Sequence, residues 1–111
     1  MNSSAKLRDL IIARKMLEEK SANLVVVRNG EILFTGYNEG LKDLAWLALN
    51  SPNILESASV ADRIVGKAAA VIFAMNRVEA VYGFLMSVQG YQVLKENDVK
   101  AFYQRLVEYI K

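Results

Sequence analysis

Apolar positions recur along this chain with two periods, and the switches between them divide it into elements. Residues 4–19 place Leu7, Leu10, Ile11 and Leu17 at helical spacing, with Arg8, Lys15 and Glu18 largely on other faces. That pattern predicts a packing helix with Ser3 or Ser4 at its cap. The stretch NLVVVRNGEILFTG follows, two β-rich runs joined by Asn29-Gly30. This dipeptide suits a two-residue type I′ turn, where both positions need positive φ. Residues 24–27 are continuously apolar, as a strand covered on both faces should be. Gly36 and Gly40 then bracket a turn, and LKDLAWLAL carries Leu41, Leu44, Ala45 and Ala48 on one side of a helix stopped by Asn50, Ser51 and Pro52.

The segment 58–75, ASVADRIVGKAAAVIFAM, reads as a buried helix. Val60, Ile64, Val65, Ala68, Val71, Ile72 and Met75 fill about half of its wheel. Ser59, Asp62, Arg63, Gly66, Lys67 and Ala70 share the other arc, joined one turn later by Phe73, so only the N-terminal half is expected to meet water. Residues 78–87 read as a buried strand, and Ser87 stands where it can cap a helix over 88–97. VKAFY predicts a last short strand and QRLVEYI a return to helix. No repeat or linker interrupts the chain. The order predicts a single α/β domain over 1–111, a three-layer helix-sheet-helix sandwich with a small mixed sheet that opens with an antiparallel hairpin.

Composition narrows the chemistry. With 53% hydrophobic and 23% charged residues in 111, the chain is an ordinary globular one. It contains neither cysteine nor histidine. That double absence removes disulfides, thiolate nucleophiles, Ser-His-Asp arrangements and the usual zinc ligands, so no cofactor or metal is expected. Any catalysis would fall to Asp, Glu, Lys, Tyr or Ser. The net charge of +2 is spread over mixed signs, which argues against duplex nucleic acid as a partner. No apolar run reaches the roughly eighteen residues that would span a bilayer, and MNSSAKLRDL has charges where a signal peptide would be apolar. A cytoplasmic protein without a membrane partner is expected.

The candidate site residues are Asp62, Arg63, Gly66, Lys67 and Ser87. A helical glycine costs about 1 kcal/mol against alanine, so something should approach Gly66 closely, either another backbone or a ligand. Asp62 is open to two readings, a capping carboxylate reaching back toward Ser59 or a functional acceptor. Arg63 and Lys67, four apart and alike in charge, fit either a solvated face or a pair with an anion nearby. Ser87 is either a plain cap or a polar contact at a strand's C-terminal end, where ligands of open α/β sheets bind.

ILFTGYNEGLKDLAWLAL, then VADRIVGKAAAVIFAM, then VYGFLMS, resemble a small bacterial and archaeal family catalogued as domain of unknown function eighteen ninety-three, over residues 20–111. The resemblance implies a cytidine deaminase-like fold. In zinc deaminases the helix after the hairpin carries H-A-E and the next helix start P-C-x-x-C, and neither motif is present. By position, the zinc helix would correspond to the one holding Asp62, Gly66 and Lys67, and the cysteine-bearing start to the turn at Ser87. The expectation is a metal-free deaminase-like domain that binds a small anionic or nucleotide-like ligand without deaminating it. Arg63 and Lys67 would supply charge, Gly66 room, Asp62 an acceptor and Ser87 a small contact. The alternative is an interaction or self-assembly module, a homo-oligomer included, that uses the same helix face, with Trp46 or Tyr37 as anchors.

Overall fold

A computed structural model of the chain describes the backbone of residues 3–110, with side chains from Leu7 onward. The expected cap at Ser3 or Ser4 lies outside the described side chains. Helix α1 (Ser3–Glu19) precedes a hairpin of β1 (Leu24–Arg28) and β2 (Glu31–Gly36), then α2 (Lys42–Asn50) and a short 3-10 turn begun by Pro52. Strand β3 (Ser59–Val65), α3 (Lys67–Met75), β4 (Ala80–Ser87), α4 (Val88–Glu96) and β5 (Lys100–Val107) complete it. The strands form one mixed sheet in the order β2-β1-β3-β4-β5. Within it β1 is antiparallel to β2 and β3, while β3, β4 and β5 run parallel. The hairpin turns at Asn29 and Gly30 with φ of 53° and 80°, the left-handed pair that the dipeptide predicts.

The segment 58–75 is not one helix. Residues 59–65 form central strand β3, and helix begins only at Lys67. Its first four residues are buried and paired on both sides. A strand covered on both faces has no clear alternation, and a wheel drawn through so apolar a run finds a helical face whether or not one exists. Ser59 is therefore not at a helix start. It opens β3 opposite Val27 and Ala80, and Asp62 is a strand residue opposite Leu24 and Gly83. Phe73, placed on the polar arc by the helical reading, is fully buried. The C-terminal segment also differs, since β5 continues to Val107 instead of becoming helix, each residue from Arg105 on paired to β4. Pairing with a neighbour decides this over the helical spacing of Leu106, Val107 and Ile110.

The layers follow from two cores. On one face Leu10, Ala13 and Leu17 of α1 pack against Val25, Val27, Ala61, Ala80 and Tyr82. On the other, Leu44 and Leu47 of α2, Ala69, Ala70 and Phe73 of α3 and Leu94 of α4 cover Leu24, Val26, Val60 and Val81. Two polar contacts lock α1 to the sheet. Asp9, buried, accepts the backbone N–H groups of Asn29 (2.9 Å) and Gly30 (2.8 Å), which ties the hairpin turn to the helix. At its other end the Arg63 guanidinium donates to the carbonyls of Leu17 and Ala22, each at 2.8 Å from Nη2, where α1 leaves its last carbonyls open. Among the described residues no helix is long and apolar enough to cross a membrane.

Candidate functional site

The parallel strands β3 and β4 lie side by side and both run directly into helices. Val65 pairs with Met86; one residue later Gly66 leads into α3 and Ser87 into α4. Each helix start leaves N–H groups without intrahelical partners. The two starts satisfy them differently. Ser87 Oγ accepts the Gly90 N–H at 2.9 Å, so α4 is capped by its own chain. Gly66, in extended backbone, makes no side-chain cap, and the first intrahelical bond of α3 is Ala70 N–H to the Gly66 carbonyl at 3.0 Å. The amides of Lys67, Ala68 and Ala69 thus have no intrahelical acceptor, and all three residues border a cavity.

Two adjoining cavities open there. One, of about 390 Å³, is bordered by Gly66, Lys67, Ala68 and Ala69 together with Ser87 and Tyr109. The other, of about 330 Å³, is bordered by Asp62 and Arg63 with Asn23, Glu39 and Gly40. Gly40 and Ile64 border both, so they form one continuous cleft. Each lies in the size range of small-molecule sites, beyond the C-terminal ends of parallel strands where an open sheet receives ligands.

All five residues singled out in the sequence border this cleft, but their chemistry differs from the helical picture. Asp62 is 7% exposed, at the inner end. Burial pushes its carboxyl from 3.8 up to about 8, and Asp43 adds to the rise. The backbone N–H groups of Ile64 and Arg63 and the Arg63 charge pull the other way and do not offset the burial. At neutral pH the group is chiefly a neutral acid, able to donate as well as accept. Arg63 borders the cleft, yet its guanidinium is engaged by the carbonyls of Leu17 in the last turn of α1 and Ala22 just beyond it, and lies over the Phe84 ring, 5.8 Å from the centroid. Lys67 is exposed and forms no ion pair among the described residues, so it alone of the two cations faces the cleft uncommitted. Ser87 is buried and its hydroxyl is spent on Gly90.

The close approach expected at Gly66 occurs instead at Gly90. A β-carbon on Gly66 would stand 3.6 Å from Ile110 Cβ, an ordinary contact, whereas one on Gly90 would stand 3.0 Å from both the Gly66 and the Val65 carbonyl oxygens. Gly90 lets the two helix starts pack together. The sequence reading missed Glu39, Gly40, Ile64 and Tyr109. Gly40 carried a signal, the second glycine of its turn with φ of 70°. Tyr109 carried none, because the helical reading of its segment points it elsewhere.

The positional match to deaminases also moves. The helix after the hairpin is α2, and the next helix start is Gly66-Lys67 at α3, so both correspondences shift one helix toward the N-terminus. At α2 the available donor is Asp43, whose oxygens accept the Asn38 backbone N–H (3.0 Å) and side-chain amide (2.7 Å). At α3 there is a glycine and a lysine. With no imidazole or thiolate in the chain and no group of three acidic, His or Cys residues among those described, the donor set does not fit zinc.

A family model described as TM1506, domain of unknown function (DUF1893), matches residues 12–111. The crystal structure of the DUF1893 protein TM1506 from Thermotoga maritima is similar over 93% of this chain and 69% of that one, with 25% identity and a TM-score of 0.84. The dCMP deaminase of cyanophage S-TIM5 shares the fold at 18% identity, covering 93% and 99% of the two chains, with a TM-score of 0.60. A structure from a study of tRNA:A34 deaminases shares it at 12% identity over 92% of each chain, with a TM-score of 0.51. No curated protein matches the chain.

Proposed function

The chain belongs to the DUF1893 family, and on that footing we propose that it is a deaminase-like domain that binds a small anionic or nucleotide-like ligand without zinc-dependent deamination. One observation carries this reading. The cleft beyond β3 and β4 has opposite chemistry at its two ends, an uncapped helix start with Lys67 at one and the buried Asp62 acid with Glu39 at the other.

The α3 end suits an anionic group. Amides without intrahelical acceptors, the positive end of the helix dipole and the Lys67 ammonium act together there, and Lys67 takes over the charge role that Arg63 is too engaged to fill. The Asp62 end suits a ring or polar edge offering both a donor and an acceptor, because a protonated carboxyl can meet each. Charge at one end and a hydrogen-bonding edge at the other describe a nucleotide-like molecule. The likeness in frame to the phage dCMP deaminase, whose structure has also been determined with dCMP and dUMP, supports that class. A cytoplasmic setting, where such ligands are abundant, accords with a chain free of cysteine. The alternative, a protein-interaction module, draws support from exposed Tyr37 and Trp46.

Thermal unfolding against a panel of inorganic phosphate, a sugar phosphate, nucleosides and nucleoside monophosphates tests the reading. A monophosphate should raise the midpoint more than its nucleoside, since a ligand at a hundred times its Kd stabilises by about 2.7 kcal/mol. Lys67→Ala should remove most of that gain. If no member shifts the midpoint, or if Lys67→Ala and Asp62→Ala respond as the parent does, the proposal fails.

A further inference from the structure

The face of the sheet opposite the cleft is only part covered. Helix α1 packs on β1, β3 and the start of β4 through Leu10, Ala13 and Leu17. No helix of the described chain lies beside it over β4 and β5, since α2, α3 and α4 belong to the other layer. Phe84 lies on this open strip, with the Arg63 guanidinium that caps α1 over its ring. Phe102 pairs in register with Tyr82, whose side chain belongs to the α1 core, so it points to the same face. Arg14 reaches across the strip, over the Tyr82 ring at 4.7 Å from the centroid and to Gln104 Oε1 at 3.1 Å. On a helical wheel Leu7 and Ile11 fall within about 60° of Arg14, so they line the same flank of α1. The strip is therefore a groove with an apolar floor of Phe84 and Phe102 and an apolar wall of Leu7 and Ile11, all between 41% and 59% exposed.

We propose that this groove is a homodimer interface, in which a two-fold axis sets the α1 flank of one protomer beside that of the other, over the open strip of β4 and β5. Three features select a second copy as the occupant. The strip is two strands wide, about 10 Å, which is the width of one helix. The chain itself carries a helix whose uncovered flank has the apolar residues such a strip would receive, so groove and occupant are present on every copy and the contact is isologous. The four side chains expose roughly 350 Å² of apolar surface, within the range of about 300–600 Å² for the largest patch on a single domain, a size that often marks a contact surface. They would form the apolar part of a standard interface of about 800 Å² per partner, with the Arg14–Gln104 pair crossing it and Glu18 at its polar rim. Apart from Arg63, which borders the cleft and lies over Phe84, this face shares no residue with the ligand cleft.

Sedimentation velocity across a concentration series decides it, with the parent chain and two single substitutions, Ile11→Glu in the wall and Phe102→Glu in the floor. The parent should sediment as a dimer at high micromolar concentration. Each substitution should weaken dimerisation at least about tenfold, with the thermal midpoint of the monomer checked to show that it folds. Trp46→Glu, on exposed α2, should leave association unchanged. A parent that stays monomeric, a dimer insensitive to both substitutions, or one lost in Trp46→Glu instead would overturn the proposal.

Discussion

Replacing Asp62 by asparagine should change how stability depends on pH. The carboxyl is raised from 3.8 to about 8, chiefly by burial. Between those two values the unfolded chain has released this proton while the folded one retains it, so unfolding releases a proton and stability falls as pH rises. The contribution is fully present below the unfolded value, declines through the interval and levels off above the folded one. At about 1.4 kcal/mol per unit, the loss between pH 5 and pH 8 comes to roughly 4 kcal/mol. Asparagine keeps the shape and the acceptor oxygen of the neutral acid and cannot ionise. Urea unfolding of parent and Asp62→Asn at a series of pH values isolates the term, because every other titrating group is common to both. The variant should gain on the parent by about 4 kcal/mol from pH 5 to pH 8. If the difference between the two stays flat within about 1 kcal/mol, the carboxylate is ionised in the fold and the inner end of the cleft is wet.

Gly90→Ala should destabilise by about 1–3 kcal/mol in chemical denaturation, because its β-carbon would press on two backbone carbonyls that cannot yield. Gly66→Ala, with ordinary room and an unstrained backbone, should cost less than about 1 kcal/mol; equal effects at the two sites would contradict the packing of the helix starts. Asp9→Ala should cost about 1–3 kcal/mol by orphaning two turn amides. Amide hydrogen exchange at Asn29 and Gly30 should then accelerate, and unchanged exchange there would refute the tie between α1 and the hairpin.

What the sequence reveals depends on how local the deciding force is. The Asn29-Gly30 turn and the Ser87 cap are settled by residues within three positions, and both appear as expected. The α/β class follows from the hairpin and the apolar strand runs. Strand β3 was illegible for the opposite reason. Its backbone partners come from β1 and β4, distant in the chain, and its run of four buried residues, Ser59 to Asp62, shows no polar-apolar alternation to mark it as a strand. The same holds for β5 beyond Tyr103. Misreading β3 as helix still placed Asp62, Gly66 and Lys67 on one cleft, because a strand that runs straight into a helix keeps those positions near the same junction. It mistook what they do there. Arg63 points to the layer of α1, and at the two helix starts the glycine under steric demand is Gly90, not Gly66.

The central claim is that the cleft past β3 and β4 takes an anion at the open start of α3, and amide chemical shifts report on that position directly. Titrating nitrogen-15-labelled protein with a nucleoside monophosphate should move the backbone signals of Lys67, Ala68 and Ala69 first and most, together with Ile64 and Gly40. Signals on α1 and β5 should stay in place. Shifts absent from 67–69, or confined to the α1 face while the ligand binds, would contradict the account.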